Sequence, residues 1–329
     1  MFSVPVLIGL AIAVTAVVVF GMLATSRRRT SHVHDLRTQP APASDIQTPS
    51  PPRQNDLNEL GLRLGVSRAV LERFEAAYRT AKIPKPRGGV RRLEIPDDET
   101  KKLQRTILRR LLMALDVHPF ACGFEQGTSI VDAATPHEGR WVVVKMDIRR
   151  FFESTTSARI HTYFQGIGWD ATSAEVLLRL TTWNGHLPQG APTSPKISNL
   201  VNAPLDEALH RLARRHHGAY SRYADDITMS FDIRRGRVIR GLTQVVRRIL
   251  KSYGYTMHGG AKLKILRQNQ RQQVLGLVVN EKTALPRKTR RWLRAVRHHA
   301  RVGRLTSLSE QQLNGWESLL TMVETQRDD

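Results

Sequence analysis

One cysteine in 329 residues, Cys122, is too few for an intrachain disulfide or a cysteine-rich zinc centre, so neither kind of cross-link holds this chain together. A reducing compartment is compatible with that poverty. Acidic residues are scarce as well: 29 Asp and Glu face 51 Lys and Arg, a formal charge of +22. Such an excess beside ordinary hydrophobic content points to a polyanionic partner, nucleic acid first and an anionic membrane surface second. Positive charge is absent from one place, ahead of the apolar run Phe2 to Ala24. A cleaved signal peptide wants charge there, so the run reads as a retained transmembrane helix over residues 2–24. Arg27, Arg28 and Arg29 follow it, and the positive-inside rule then places the bulk of the chain on the cytoplasmic side of the membrane.

Residues 25–55, with Pro40, Pro42, Pro49, Pro51 and Pro52 among small polar residues, read as an extended linker that buries no core. Asp56 is placed to cap a helix, with Leu57, Leu60, Leu64, Leu71, Phe74 and Tyr78 at mostly helical spacings. The segment Ile83 to Pro96 carries Gly88-Gly89 between short β-like runs, a hairpin whose basic arms suit phosphates. Leu103, Ile107, Leu111 and Leu115 then mark a helical stripe, flanked by basic residues that are either a solvated face or a contact for a strand of nucleic acid.

Among so few acids, those that stand together draw notice. Asp225 and Asp226 follow Tyr223-Ala224 inside an alternating run from Tyr220 to Ser230, which predicts a tight hairpin with strand on both sides. Adjacent carboxylates on a sharp turn repel, and a cation that neutralises both relieves the repulsion. A solvated Asp-Asp turn is the plainer reading of the dipeptide alone. Trp141 to Phe152 reads as a buried strand delivering Asp147 at its end, where an isolated acid also suits a helix cap. Leu187 to Pro195 is a rigid Pro/Gly turn before a helical pattern from Lys196 to Arg215, and Val274 to Asn280 reads as one short strand. Pro286 opens a helix with Arg290, Arg294, Arg297 and Arg301 on one face, a nucleic-acid contact, and Trp292, Val296 and Ala300 on the other.

The order of these pieces, from about Asp56 to Arg304, resembles the reverse transcriptases and within them the bacterial retron type, part of the group II intron-like superfamily. The motifs that carry the resemblance are Arg91-x-Leu93-x-x-Pro96 with the Gln104-Arg105-x-Ile107-Leu108 helix, Ser129-Ile130 leading to His137, and Asp147-Ile148-x-x-Phe151-Phe152. Leu187-Pro188-Gln189-Gly190-x-Pro192-x-Ser194-Pro195, Tyr223-Ala224-Asp225-Asp226, Lys262 in Lys-Leu-Lys-Ile-Leu-Arg, and Val274-x-Gly276-x-x-Val279-Asn280 complete the set. The resemblance implies an α+β right-hand polymerase with an antiparallel palm sheet: fingers and palm over 56–285, a basic helical thumb and tail over 286–329. It implies that Asp147, Asp225 and Asp226 gather two Mg2+ ions with the Ile148 carbonyl, and that Lys262 meets the leaving pyrophosphate. Arg91, Gln189 and Gly190 would line the incoming dNTP, Phe152 would crowd a ribose 2′-hydroxyl, and Tyr223 would pack beneath the primer end. His137, taken alone, reads as a structural hydrogen-bonding histidine.

Two positions depart from the retron pattern: Ala133 stands where Asn is usual, and Leu275 where Thr is usual. The family implies RNA-directed DNA synthesis on a structured noncoding RNA that is both template and primer source, an RNA–DNA product, and antiphage defence with an effector protein. With the anchor, the expected place is the inner face of a bacterial membrane. Only a short tail follows the thumb, with no RNase H acid cluster or cysteine-bearing endonuclease region, so the expectation is a stand-alone enzyme that depends on other gene products. A domesticated or abortive-infection reverse transcriptase without a retron RNA, and a non-catalytic membrane-tethered RNA-binding module, are the competing readings.

Overall fold

The computed structural model describes residues 55–85, 88–303 and 307–328. The apolar run at 2–24 and all of the Pro-rich stretch but Asn55 lie outside them. Among the described residues no helix is long and apolar enough to cross a membrane.

Asp56 caps α1 (Leu57–Leu64) by accepting the Glu59 amide at 2.9 Å, and Leu57, Leu60 and Leu64 form its buried stripe. The helical spacing of the sequence continues to Tyr78, but the chain does not follow it. Gly65, at φ 68, ends α1; the short α2 (Arg68–Arg73) follows, and Tyr78 opens a strand. That strand, β1 (Tyr78–Pro84), pairs antiparallel with β2 (Val90–Pro96) in the expected hairpin. In α3 (Asp98–Ile107), Leu103 and Ile107 are buried as their spacing predicts. A π-helical turn, Leu108–Leu112, then inserts one residue and rotates the stripe, so that Leu112 is buried while Leu111 and Leu115 are only partly covered.

Next come α4 (Ile130–Ala134), β3 (Val142–Arg149), α5 (Phe151–Ser154), α6 (Ser157–Gly166) and α7 (Ala171–Thr181). The helical pattern from Lys196 to Arg215 is two helices, α8 (Ser194–Val201) and α9 (Ala203–Arg215), parted at Asn202 just before Pro204. After them lie β4 (Ala219–Tyr223), β5 (Asp226–Phe231), α10 (Gly236–Ser252), β6 (Thr256–Met257) and β7 (Lys264–Arg267). The stretch expected as one strand at Val274 to Asn280 is a hairpin, β8 (Gln273–Val274) and β9 (Leu277–Val278), turned by Leu275 and Gly276 at φ 47 and 92. Two successive positive φ values make the strand-reversing turn that a two-residue hairpin needs. The last elements are α11 (Arg287–Arg301) and α12 (Glu310–Asp328).

Five strands form the central antiparallel sheet, in the order β4-β5-β3-β6 with β7 also paired to β3. Alternation along β3 sorts the side chains. Val142, Val144, Met146 and Ile148 enter one core with α9 and α10, whereas Val143 enters another with β8, β9, α11 and α12. Lys145 and Asp147 share the face of Val143 by the same period of two. The outer edge of β4 is covered by Phe120 to Cys122: Arg222 donates its amide to the Phe120 carbonyl at 2.8 Å, and Cys122 donates to the Arg222 carbonyl at 2.9 Å. A third core gathers α1, α2, α3, α6, α7 and α8. The result is the mixed α and β architecture, with an antiparallel sheet, that the family resemblance implies.

Candidate active site

Asp147 on β3 stands directly opposite Asp226 on β5, and the two-residue turn Ala224-Asp225 joins β5 to β4, closing the pair Tyr223 and Asp226. Ala224 supplies the positive φ, 55, that this turn requires. The amide of Ile148 donates to the Asp225 carbonyl at 2.9 Å, tying the turn to the end of β3. Three carboxylates thus share one end of the sheet. Burial and the like charges of Asp226 and Asp147 push Asp225 up to about 6, and burial also raises Asp226 against the pull of Lys145. Burial lowers Lys145 in turn. Lys145 carries no local mark of a role; its placement follows from its position two residues before Asp147 on the same face.

Lys262, on a 3₁₀ turn (Gly260–Lys262), donates to both oxygens of Asp147 at 3.0 and 2.9 Å, and His258 Nε2 lies 3.5 Å from one of them. An ammonium therefore meets one acid of the three. Among the described residues no three His, Cys, Asp or Glu side chains close into a metal cage. Magnesium does not need one: it binds through one or two carboxylates and takes its remaining oxygens from water and phosphate. The all-oxygen donor set, with Asp225 raised by burial and by the repulsion of its neighbours, fits a hard divalent cation.

Rings line the neighbouring space. Phe124, at φ 67 and 45% exposed, lies 6.3 Å from Phe152 and 6.0 Å from Tyr223, centroid to centroid. Phe152 and Tyr223 were predicted; Phe124 was not, although an aromatic after Gly123 is visible in the sequence. The carbonyl of Gln189 accepts the Glu94 amide at 2.9 Å, which fastens the Pro/Gly turn to β2. Gly190 sits at φ 138, where a Cβ would come within 2.8 Å of the Glu94 carbonyl, so only glycine fits this crossing. Arg91 lies three residues earlier on β2 and is exposed, and among the described residues it makes no ion pair with Asp147, Asp225 or Asp226.

The basic face of α11 is only partly as expected. Arg290, Arg294 and Arg301 are exposed, but Arg297 is half-buried and held by Glu317, Nε to Oε1, at 2.7 Å. Ala300 is exposed rather than buried, and Leu293 with Val296 forms the packed side. The hydrophobic face is centred nearer Leu293 than the sequence reading had it, which brings Arg297 to its border.

Beneath the turn runs a network that sequence reasoning missed. Arg222 and Asp206 are both 0% exposed and share two hydrogen bonds of 2.6 Å, while the Tyr220 hydroxyl donates a third to Asp206 at 2.6 Å. Burial opposes the charge on Arg222, and Asp206 more than reverses that effect. The same guanidinium donates to Asn199 Oδ1 at 3.1 Å and to the Ala224 carbonyl at 3.2 Å. Asn199 donates on to Glu125 at 2.9 Å and to the Gly123 carbonyl at 2.7 Å, and Lys196 pairs with Glu125 at 2.7 Å. The residue before Asp225 is thereby fixed from below, and Gly123 is fixed next to Phe124.

His137, fully buried and pushed down to about 3 by burial, bridges β4 and β5. Its Nε2 lies 2.9 Å from Ser221 Oγ and its Nδ1 2.8 Å from Ser230 Oγ. Because the Ser221 hydroxyl already donates to the Ala133 carbonyl at 2.9 Å, the imidazole donates through Nε2 and accepts at Nδ1. The structural role predicted for His137 holds. Ala133, the departure beside it, is buried and contributes only its backbone to this chain of bonds.

A family model described as reverse transcriptase (RNA-dependent DNA polymerase) matches residues 83–279, which includes β2, β3, the acid-bearing turn and Lys262. Retron Mx65 reverse transcriptase of Myxococcus xanthus is 34% identical over 301 residues, covering 84% of this chain and 69% of that protein. Retron Ec86 reverse transcriptase of Escherichia coli is 30% identical over 281 residues, covering 83% of this chain and 86% of that protein. With the family match spanning more than half of its length and both relatives matching most of it, the chain belongs to the retron-type reverse transcriptases and is an RNA-directed DNA polymerase.

Proposed function

We propose that the enzyme copies a cognate structured noncoding RNA into DNA by two-metal-ion nucleotidyl transfer, within a right-hand arrangement of fingers, palm and thumb. The observation that carries this reading is the convergence of Asp147, Asp225 and Asp226 at one end of the sheet, with Asp225 raised by burial and by its acidic neighbours. When bound, two magnesium ions at these acids and the Ile148 carbonyl would activate the primer hydroxyl for in-line attack and offset the charge of the leaving pyrophosphate.

The chain's own groups do the rest. Lys262, already drawn to Asp147, is the counter-charge or proton donor for the departing pyrophosphate. Phe152 crowds a ribose 2′-hydroxyl and so selects deoxynucleotides, Tyr223 supports the primer end, and Gln189 with Arg91 meets the incoming dNTP. Phe124 adds a third ring beside Phe152 and Tyr223. The exposed arginines of α11, Arg290, Arg294 and Arg301, follow the phosphates of the RNA–DNA product.

The RNA doubles as primer source, and the product acts in antiphage defence with an effector protein. The retron names of the relatives support the first part. The apolar run at 2–24, followed by three arginines, supports anchoring at the inner face of a bacterial membrane. Purifying the protein from its native locus and sequencing the bound nucleic acid, with and without nuclease treatment, tests the template: the expected result is one short DNA joined to one structured RNA. RNA alone, or DNA with no junction, overturns the retron template. Deleting residues 1–30 tests the anchor, and full biological activity in that variant removes the membrane from the mechanism.

A further inference from the structure

At the far end of the central sheet lies a second concentration of charge that the active site does not use. A cavity of about 310 Å3 opens between β7 and the first turn of α10. Val142, Ile239 and Ile265 give it an apolar floor, and Arg234, Arg240 and Arg267 stand around it. Val142 begins β3 and Asp147 lies five residues on, so the cavity is roughly 17 Å along the strand from the catalytic acid at about 3.3 Å per residue. It is a different place from the active site.

The arginines converge. Arg240 comes from α10 and Arg267 from β7, yet both guanidinium groups reach the same point: a methyl group on Gly236 would sit 3.3 Å from one Arg267 nitrogen and 4.0 Å from one of Arg240. Among the described residues no carboxylate pairs with Arg234, Arg240 or Arg267, and all three are exposed, so what sets them apart is their convergence on one cavity. The acid closest in sequence, Asp232, is already taken by Arg140 at 2.7 Å and by the Trp141 amide at 3.1 Å. Arg234 is held over the Trp141 ring, 4.3 Å from its centroid, which steadies a guanidinium while leaving its N–H edge free. The start of α10 has no side-chain cap and adds the positive end of a 17-residue helix to the same spot.

Two unpaired guanidiniums facing one another repel, and a tetrahedral anion that accepts from both forks reverses the sign of the interaction. An apolar floor beside that anion site suits the face of a base or sugar, which a bare ion would leave uncovered. We propose that this cavity is a second nucleic-acid contact, taking one nucleotide of single-stranded RNA with its phosphate between Arg240 and Arg267, and so holding RNA outside the polymerisation site. It rests on the proposed RNA template only for the identity of the strand.

The test uses the full chain and a 12-residue single-stranded RNA carrying 4-thiouridine, with photocrosslinks mapped by mass spectrometry and affinity read by fluorescence anisotropy across a salt series. In the wild-type protein a crosslink is expected within 233–240 or 265–270. The double variant R240Q/R267Q should lose that crosslink, bind about tenfold more weakly and show a salt slope smaller by about 0.7, the value for one phosphate of a single strand. R235Q/R237Q removes the same charge from exposed residues that flank the cavity without lining it, and should keep the crosslink. Gly236→Glu sets a carboxylate before both arginines at a helix start that favours it; it should melt no lower than wild type and still lose the crosslink. No wild-type crosslink in these segments, or equal losses from both arginine pairs, overturns the proposal, the second outcome leaving only a diffuse positive field. Synthesis on oligo(dT)-primed poly(rA) should be unchanged in R240Q/R267Q; absence of synthesis by the wild-type protein would instead count against the polymerase reading, whatever the cavity does.

Discussion

The β4–β5 hairpin has two sides built on opposite electrostatic plans. Above the turn, Asp147, Asp225 and Asp226 crowd together, and burial with like charge pushes Asp225 up to about 6. Below it, Arg222 and Asp206 are sealed from water and matched atom for atom, with Tyr220 and Asn199 taking the remaining donors and acceptors. One side is compensated only in part, by Lys262 at Asp147, and the other is satisfied almost completely. Rigid support beneath allows strain above, because a turn bonded at Ala224 cannot relax its acids apart. An unpaired cluster on a loose loop would simply splay.

Removing the charge from the upper side should give the largest effect. Asp225→Asn with Asp226→Asn is expected to lower primer extension by at least about 10³-fold, on the scale of losing charge-stabilising groups at a reaction centre. RNA affinity should be retained, and the melting temperature should not fall, since like charges are relieved. A melting temperature that drops sharply would mean the acids hold the fold together rather than burden it. On the lower side the signs reverse. Arg222→Met should cost about 3–5 kcal/mol in denaturant unfolding by leaving Asp206 charged and unpaired. Adding Asp206→Leu to it should recover part of that loss; if the double variant is no better than the single one, the pair is not what stabilises this region.

The pH dependence of stability gives a finer measure. His137 is neutral in the folded protein down to about 3, whereas the unfolded chain protonates it below its ordinary value of about 6.5. Its contribution is present above about 6.5 and is lost as the pH falls toward 3, at up to about 1.4 kcal/mol per pH unit. His137→Gln should flatten that part of the stability profile in acid-unfolding measurements, even though it lowers stability at neutral pH. The smallest effect concerns the metal. Magnesium at a few times its dissociation constant should stabilise the wild-type protein by about 1 kcal/mol and the double Asn variant not at all, read as a shift in melting temperature.

These contrasts show what a sequence displays and what it hides. The strand around Asp147 and the hairpin around Asp225 were legible because alternation and turn chemistry are local, and so was Asp56 as a cap. Arg222 was not, since one arginine among 51 basic residues gives no local sign that it will be buried against an acid 16 positions earlier. Glu125 meets Lys196 and Asn199 only when its loop packs against α8, 71 and 74 positions on, and nothing in the spacing between the two segments announces it. The π-helical turn after Ile107 also has no signature in a pattern of leucines; it shows only as the burial of Leu112 in place of Leu111. Arg297 looked like the other arginines of its helix until Glu317 on the following helix claimed it. Local chemistry was readable, and long-range compensation was not.

Cys122 belongs to the segment that covers the outer edge of β4, two residues from Phe124 and bonded to the Arg222 carbonyl. Its thiol is buried, and burial pushes it up to about 11, so the closed protein presents almost no thiolate to an alkylating reagent near neutral pH. Reaction must wait for the edge to peel away. The rate of alkylation therefore clocks local opening beside the catalytic turn, and with one sulfhydryl in the chain the signal has a single origin. A bound primer and template that hold the turn shut would slow that clock, giving a readout of substrate engagement that needs no nucleotide to be incorporated.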